Sequence, residues 1–186
     1  MMKPTFAALL LTLGLAGCAG SAPLTYLVLS PTPGQVYDQT GATIAVARVS
    51  MPPTIDRSFL TTGSGENRVE ISYNAQWAAP LGSMAQSTLA RDLAARLPHH
   101  MVLMPGDHVP QNAEIVTVNV LQFLPYPGHV RLEADWRSVT QSTLRAQTGR
   151  VAITVPTADT PEAQAQAMSK ALGQLADQIA AQIATE

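Results

Sequence analysis

The spacing of apolar residues changes its period twice along this chain, and this restricts the possible folds more than any other feature of the sequence. Between Val130 and Arg137, apolar and polar residues alternate strictly, which is the pattern of a half-buried β-strand. In residues 80–97 and again in 161–184, apolar residues recur at steps of three to five, which is the stripe of an amphipathic helix. A proline opens each of these two segments, and proline is well tolerated in the first turn of a helix.

Further strands are predicted before each helix. Alternating or β-branched runs occupy residues 26–29, 43–49, 59–62, 68–74, 101–104, 113–124, 130–137 and 151–155. Strands gathered ahead of helices are typical of an α+β fold, in which the helices are segregated to one face of an antiparallel sheet. The sequence therefore predicts two layers, a mostly antiparallel sheet with two main helices (about 80–97 and 161–184) packed on one face.

The composition agrees with one folded domain. Of the 186 residues, 46% are hydrophobic and 13% are charged, which excludes a disordered chain because disorder needs low hydrophobicity and high net charge. The length allows one ordinary domain and little more. A formal net charge of −2 argues against a nucleic-acid binder, which normally carries a basic excess.

The N-terminus has the layout of a bacterial lipoprotein signal. Lys3 precedes an apolar run of about ten residues that ends at Leu15, well short of the ~20 residues that a transmembrane helix needs. The run continues into Leu-Ala-Gly-Cys, which resembles the lipobox, and Cys18 is the only cysteine in the chain. The alternative is an ordinary cleaved signal with a cysteine nearby by chance.

We expect cleavage before Cys18 and covalent attachment of a diacylglycerol and an acyl chain, such as palmitate, to that residue. Several acyl chains anchor a protein stably, whereas a single chain is marginal. This reading divides the chain into a signal peptide (1–17), a lipidated tether (18–23) and a single domain (24–186). Apart from the lipid, no cofactor is expected.

Motifs typical of catalysis are missing from the sequence. There is no Walker A, Gly-x-Ser-x-Gly, Gly-x-Gly-x-x-Gly or His-Glu-x-x-His pattern. Four histidines, His99, His100, His108 and His129, all lie at predicted turns or loop edges. The adjacent pair makes a poor chelate because neighbouring side chains point apart on a strand or a helix. We therefore expect no metal site, no catalytic residue and no enzymatic activity.

Residues 73–81, Tyr-Asn-Ala-Gln-Trp-Ala-Ala-Pro-Leu, resemble the Tyr-x-x-Arg-Trp-Ala-Glu-Pro-Leu signature of the ABC-type transport auxiliary lipoproteins, the paraquat-inducible protein C (PqiC/YmbA-like) family. Segments 26–29, 46–52 with 55–57, 130–136 and 167–172 are similar to other elements of that family, in the same order. The chain departs from the signature at Gln76, where arginine is usual, and at Ala79, where glutamate is usual. If those positions form an ion pair in relatives, a neutral contact replaces it here.

The resemblance implies a non-catalytic subunit of an intermembrane lipid transport system in a Gram-negative bacterium. Such a subunit is a lipoprotein on the periplasmic face of the outer membrane, and Ala19, rather than aspartate, after the cysteine agrees with that location. Its implied partners are a periplasmic mammalian-cell-entry (MCE) protein and, through it, an ABC permease and ATPase. Docking or collaring the MCE conduit would support envelope integrity, and rings of identical subunits suit a symmetric tube.

Two other functions remain open at this point. One is a structural lipoprotein of another envelope assembly or secretion complex. The other is a lipid-carrying periplasmic lipoprotein, which needs an apolar pocket of several hundred Å³.

Two groups of site residues follow. Proline-rigid loops lose less entropy on docking, so the partner-binding candidates are Met51, Pro52, Ile55, Asp56, Arg57, Tyr126 and His129. The residues of the family motifs, which we expect to be structural, are Tyr73, Trp77, Pro80, Leu81, Trp136 and Ser169. Of the two tryptophans, Trp136 falls on the apolar face of its strand and Trp77 precedes a helix that must pack, so both are predicted to be core residues.

Overall fold

The computed structural model describes residues 23–65, 67–140 and 145–185, which form eight strands and two helices. The strands are β1 (Thr25–Leu27), β2 (Ile44–Val46), β3 (Phe59–Gly63), β4 (Val69–Trp77), β5 (Val102–Leu103), β6 (Glu114–Tyr126), β7 (His129–Thr140) and β8 (Arg145–Pro156). The helices are α1 (Leu81–Arg96) and α2 (Pro161–Ile183). The predicted α+β class and both predicted helices are confirmed.

The strands form two sheets where the sequence predicted one. A three-stranded sheet has the order β1-β4-β3, and a five-stranded sheet has the order β5-β2-β6-β7-β8. The long pairings, β3 with β4, β6 with β7 and β7 with β8, are antiparallel, whereas β1–β4, β2–β5 and β2–β6 are parallel. Between the two sheets, the chain that leaves β1 is hydrogen-bonded to both helices before it reaches β2.

Both helices begin at capped N-termini. The carboxylate of Asp56, in the loop before β3, accepts a hydrogen bond from the backbone N–H of Gly82 (3.2 Å) in the first turn of α1. At the start of α2, Thr160 Oγ1 accepts a hydrogen bond from the N–H of Ala163 (3.3 Å), and Glu162 lies in the first turn. Each bond satisfies an N–H group that has no partner within its own helix.

The main core lies between α2 and the inner face of the five-stranded sheet. The alternating strand contributes its apolar residues to this core, since Val130, Leu132, Ala134 and Trp136 are all buried. The indole of Trp136 lies across Gly149 of β8, where a Cβ atom would approach Trp136 Nε1 to within 2.5 Å. A glycine at this position of β8 therefore makes room for the largest side chain on the inner face of β7.

Candidate functional site

The segment that follows β1, residues 29–33, contacts side chains from both helices. From α1, Thr88 Oγ1 donates a hydrogen bond to the backbone carbonyl of Leu29 (3.3 Å). From α2, Ser169 Oγ accepts one from the N–H of Ser30 (3.1 Å). Because these backbone groups lack strand partners, the two buried hydroxyls supply the hydrogen bonds that they need. We call residues 29–33 the interhelical segment.

A buried arginine joins the interhelical segment to both helices. The side chain of Arg96, at the end of α1, is 1% exposed. Its guanidinium donates to Asp177 Oδ1 of α2 (2.7 Å) and to the backbone carbonyls of Thr32 and Gly173 (3.0 Å each). It also donates to Asp92 Oδ1 (3.4 Å), one turn earlier in α1. A buried guanidinium is tolerated only when its charge and its N–H groups are paired in this way.

The partner carboxylate in α1 is less completely satisfied. Asp92 is fully buried, and its Oδ1 accepts a hydrogen bond from the N–H of Thr32 (2.7 Å). Its other oxygen, Oδ2, has no hydrogen-bond partner among the described residues. Burial raises the pKa of Asp92 above its ordinary value, and the opposing effects of the Thr32 N–H and the Arg96 charge do not cancel this rise. The cluster therefore holds an ionisable group at some cost in stability.

An open groove with a volume of about 750 Å³ runs between α2 and the chain from β1 to residue 33. Its lining includes Tyr26, Val28, Ser30, Gln166, Lys170 and Gln174. Strand β1 is an edge strand, so the groove lies beside a strand that has a partner on one side only. The groove has the size of a ligand site, with a mixed polar and apolar lining.

The first predicted contact loop is only partly exposed. Met51 and Pro52 are half-buried, and Arg57 is exposed. The inclusion of Ile55 among surface contacts is wrong, because this side chain is 3% exposed and belongs to the core. Asp56 is exposed, but its carboxylate accepts a hydrogen bond from the first turn of α1 and so has a structural role as a helix cap. The proline-rich loop is thus partly a cover over the core and partly a helix cap.

The second predicted contact loop brings its two candidate residues together. The rings of Tyr126 and His129 are stacked, with centroids 5.4 Å apart and planes 14° from parallel. The Tyr126 ring also lies against Gly63 at the end of β3, and its hydroxyl accepts a hydrogen bond from Gln122. Both side chains are half-buried. This turn therefore contacts both sheets while exposing one side of the stacked pair.

The residues of the family motifs fall into two groups. Trp77, Leu81, Trp136 and Ser169 are buried, which confirms the prediction that both tryptophans belong to the core. Pro80 immediately precedes α1 and is exposed. Tyr73 differs from the buried residues, because its side chain is 82% exposed and touches the ring of Phe59 edge-on, with centroids 6.1 Å apart. The signature thus contains a surface tyrosine as well as core residues.

The outer face of the five-stranded sheet is rich in charge. Arg150 donates to both oxygens of Asp135 (2.6 and 3.0 Å), and this hydrogen bonding holds the pKa of Asp135 below its usual range. On the same face, Arg131 pairs with Glu133 in β7. Arg137 is exposed in the next row of the sheet.

Sequence reasoning missed the cluster around Arg96. The available signal was an aspartate and an arginine four residues apart, at Asp92 and Arg96, each next to a leucine of the apolar stripe. Residues at that spacing share one face of a helix. A second signal was Gly173 inside the longer predicted helix, where the structure places Thr32 too close for any Cβ atom.

Three negative or limiting findings bear on function. In residues 23–65, 67–140 and 145–185, no three His, Cys, Asp or Glu side chains are grouped so that they could hold a metal ion. Neither of the helices described is both long and apolar enough to cross a membrane. The predicted lipidation residue, Cys18, lies outside the described residues.

The comparison with protein families identifies the chain. The family described as the ABC-type transport auxiliary lipoprotein component matches residues 26–180. The chain belongs to this family. The match extends from β1 through most of α2, and it confirms the resemblance read from the signature at residues 73–81. Members of the family are lipoproteins that assist an ABC-type transport system, which makes this chain a component of such a system.

Two solved structures share the fold. A crystal structure of an uncharacterised protein is 20% identical, with a TM-score of 0.63, over 88% of this chain and 97% of that chain. A protein from Xanthomonas campestris is 16% identical, with a TM-score of 0.66, over 88% of this chain and 95% of that chain. At such identities the likeness shows the fold alone. The comparison with curated proteins gives no significant match.

Proposed function

We propose that this protein is the non-catalytic outer-membrane lipoprotein of an MCE/ABC-type intermembrane lipid transport system. The observation that carries the proposal is the family match over residues 26–180, which spans nearly the whole described fold. The lipobox ending at Cys18 supports attachment by a diacylglycerol and an acyl chain at the periplasmic face of the outer membrane. In this role the domain docks or collars the far end of a periplasmic MCE conduit.

The proposed docking surface is the exposed part of the two loops. Arg57 offers a positive charge beside the half-buried Met51 and Pro52, and Tyr126 with His129 offers a stacked aromatic pair. Aromatic residues and arginine are enriched at protein interfaces, and fixed loops lose little entropy when they dock. Ile55 takes no part, because it is buried.

Chemical crosslinking in intact envelopes, followed by purification of this lipoprotein, tests the proposal. We expect an MCE protein and its ABC permease in the crosslinked product. The double variant Arg57→Glu, His129→Asp should reduce that product, because it reverses or adds charge at the proposed surface. The matched control is Arg137→Glu, on the outer face of the five-stranded sheet, which should crosslink normally. Recovery of another assembly or secretion complex in place of the MCE protein would reject the proposal.

The groove beside β1 favours a second candidate function, a lipid-carrying lipoprotein. Its volume of about 750 Å³ lies in the range of small-molecule sites. A carrier should retain phospholipid through purification of a form that is secreted without its lipid anchor. Mass spectrometry of the extracted protein, at a lipid-to-protein ratio near one, would support this function over the docking role.

A further inference from the structure

Two aromatic residues of the three-stranded sheet, which we call the aromatic row, lie on the face that points away from the core. Gln76 of β4 pairs with Tyr26 of β1 on one side and with Phe59 of β3 on the other. Residues paired across a sheet share one of its faces. The next pair, Leu27 with Trp77, is buried and therefore faces the core. Tyr26 and Phe59 consequently lie on the outer face, where Tyr26 is 65% exposed.

A bulge adds a second tyrosine to this face. The register between β3 and β4 shifts between Phe59 and Thr61, and Tyr73 lies in the part of β4 that bulges there. The ring of Tyr73 stands edge-on against Phe59. Ser72 Oγ donates a hydrogen bond to Asn74 Oδ1 (2.7 Å), which joins the residues on either side of Tyr73. The bulge thus holds a tyrosine in solvent, next to the aromatic row.

Aliphatic residues extend the row along the edge of the sheet. Leu24 and Val28 alternate with Tyr26 along the chain and are both exposed. We call Leu24, Tyr26, Val28, Phe59 and Tyr73 the aromatic patch.

The patch lies in a part of the sequence that is almost free of charge. Residues 24–37, 58–65 and 71–80 contain no Asp, Glu, Lys or Arg. The only charged residue within the three strands, Glu70, is paired with Arg68 at 2.9 Å. The outer face of the five-stranded sheet is the opposite case, because every second residue of β7 from Arg131 to Arg137 is charged. One sheet of the molecule therefore presents charge to solvent, and the other presents tyrosine, aliphatic and uncharged polar side chains, with Gln76 between Tyr26 and Phe59.

The position of the patch along the chain limits what can cover it. Only residues 19–23 separate Cys18 from Leu24, the first residue of the patch. An extended chain spans at most about 3.6 Å per residue, so the patch begins within about 20 Å of the residue proposed to carry the lipid. Any membrane that holds the anchor is therefore within reach of this surface.

We propose that the aromatic patch rests on the membrane that holds the lipid anchor, with the tyrosine rings at the level of the lipid headgroups. Tyrosine favours this level because its ring is apolar and its hydroxyl remains hydrated. No residue of the patch is charged, so none of its own side chains loses ionic hydration on meeting the lipid, while the exposed Glu162 and Lys170 adjoin Tyr26 and Val28 across the groove. The inference rests on the proposed lipidation of Cys18. A second attachment besides the lipid stops the domain rotating about its tether, and so fixes which surfaces a periplasmic partner meets.

The test uses tryptophan fluorescence of the full lipidated protein in phospholipid vesicles. Tyr73→Trp and, as a second probe, Tyr26→Trp place an indole in the patch, and Arg137→Trp is the control on the charged sheet. The native Trp77 and Trp136 are buried and give the same background in all three proteins. With brominated phospholipids we expect the patch probes to be quenched at least threefold more strongly than the control, and to be protected from aqueous iodide. Equal quenching of all three probes would overturn the proposal.

Two further measurements separate this inference from the proposed function. Intact mass reports whether Cys18 carries lipid. If it does not, the protein is coupled to a maleimide lipid through its single thiol, and the same quenching comparison decides the membrane contact. The tryptophan emission of the patch probes is also measured without vesicles over a hundredfold range of protein concentration. A blue shift that grows with concentration and is insensitive to brominated lipid would mean that a second copy covers the patch, and would reject the membrane contact.

Discussion

Arg96 is the residue on which the contact between the two helices and the interhelical segment depends. Its side chain is closed to solvent, and its guanidinium donates to the partly exposed Asp177, to the buried Asp92 and to the backbone carbonyls of Thr32 and Gly173. We expect Arg96→Ala to lower the free energy of unfolding by about 3–5 kcal/mol, because the buried Asp92 carboxylate loses its neutralising charge and the carbonyls of Thr32 and Gly173 lose a donor. Arg91→Ala, on the exposed side of α1, should change stability by less than about 0.5 kcal/mol. Urea titration measures both, and equal small losses would show that the cluster contributes little.

Asp92 gives the same cluster a dependence on pH. A carboxyl whose pKa is raised by folding binds a proton more readily in the folded chain, so its contribution to stability decreases as pH rises from its ordinary pKa of 3.8 through the raised value. Asp92→Asn keeps a carbonyl acceptor for the N–H of Thr32 and does not ionise. The stability of the native protein relative to this variant should therefore fall as the pH is raised above about 4. Unfolding by urea at several pH values checks this, with Asp38→Asn, an exposed carboxyl, as the control; a relative stability that rises with pH would contradict it.

At the scale of elements, periodicity predicted the positions of helices and strands well. It failed for contacts between residues that are distant in the sequence. The apolar stripe of α2 and the apolar–polar alternation of β7 are visible within a short stretch of sequence, and both elements occur where expected. The division into two sheets could not be predicted, because it is set by pairings between strands that are distant in the sequence, β1 with β4 and β2 with β5 and β6. The loop before α1 shows the same limit. Its prolines indicate a turn, but only the fold shows that Ile55 is buried and that Asp56 caps a helix.

The alternating faces of β7 make an element-scale prediction. Trp136 packs on Gly149 in the core, and Arg137 points to the opposite face. We expect Trp136→Ala to cost about 3–5 kcal/mol in unfolding free energy, because it leaves a large cavity over a residue with no side chain. Arg137→Ala should cost less than about 0.5 kcal/mol. Denaturant titration compares the two, and similar losses would mean that the faces of this strand have been assigned wrongly.

At the scale of the whole molecule, lipid attachment and protein contacts are expected to reinforce each other. If residues 19–23 hold the domain close to its membrane, the domain is confined to a thin layer beside that membrane. A conduit that reaches the membrane then meets the domain in this layer, and does not have to find it throughout the periplasm. The charged outer sheet and the aromatic patch divide the described surface into regions suited to water and to lipid. This division favours one orientation, in which the partner always meets the same loops.

The last prediction follows from this confinement. The lipid holds this protein at the membrane that the conduit reaches, so a high effective concentration replaces a three-dimensional search, and the anchor should strengthen binding to the MCE protein without creating the contact. A form secreted without lipid, its lipoprotein signal replaced by an ordinary one and Cys18 by serine, should still co-sediment with the MCE protein. On vesicles that also carry the MCE protein, its apparent affinity should be about 10²–10⁴ times weaker than that of the lipidated protein. The same sedimentation experiment should show self-association of the secreted form, as a ring around a symmetric conduit requires. A strict monomer at high concentration that never co-sediments would reject the docking role and leave the lipid carrier as the better account.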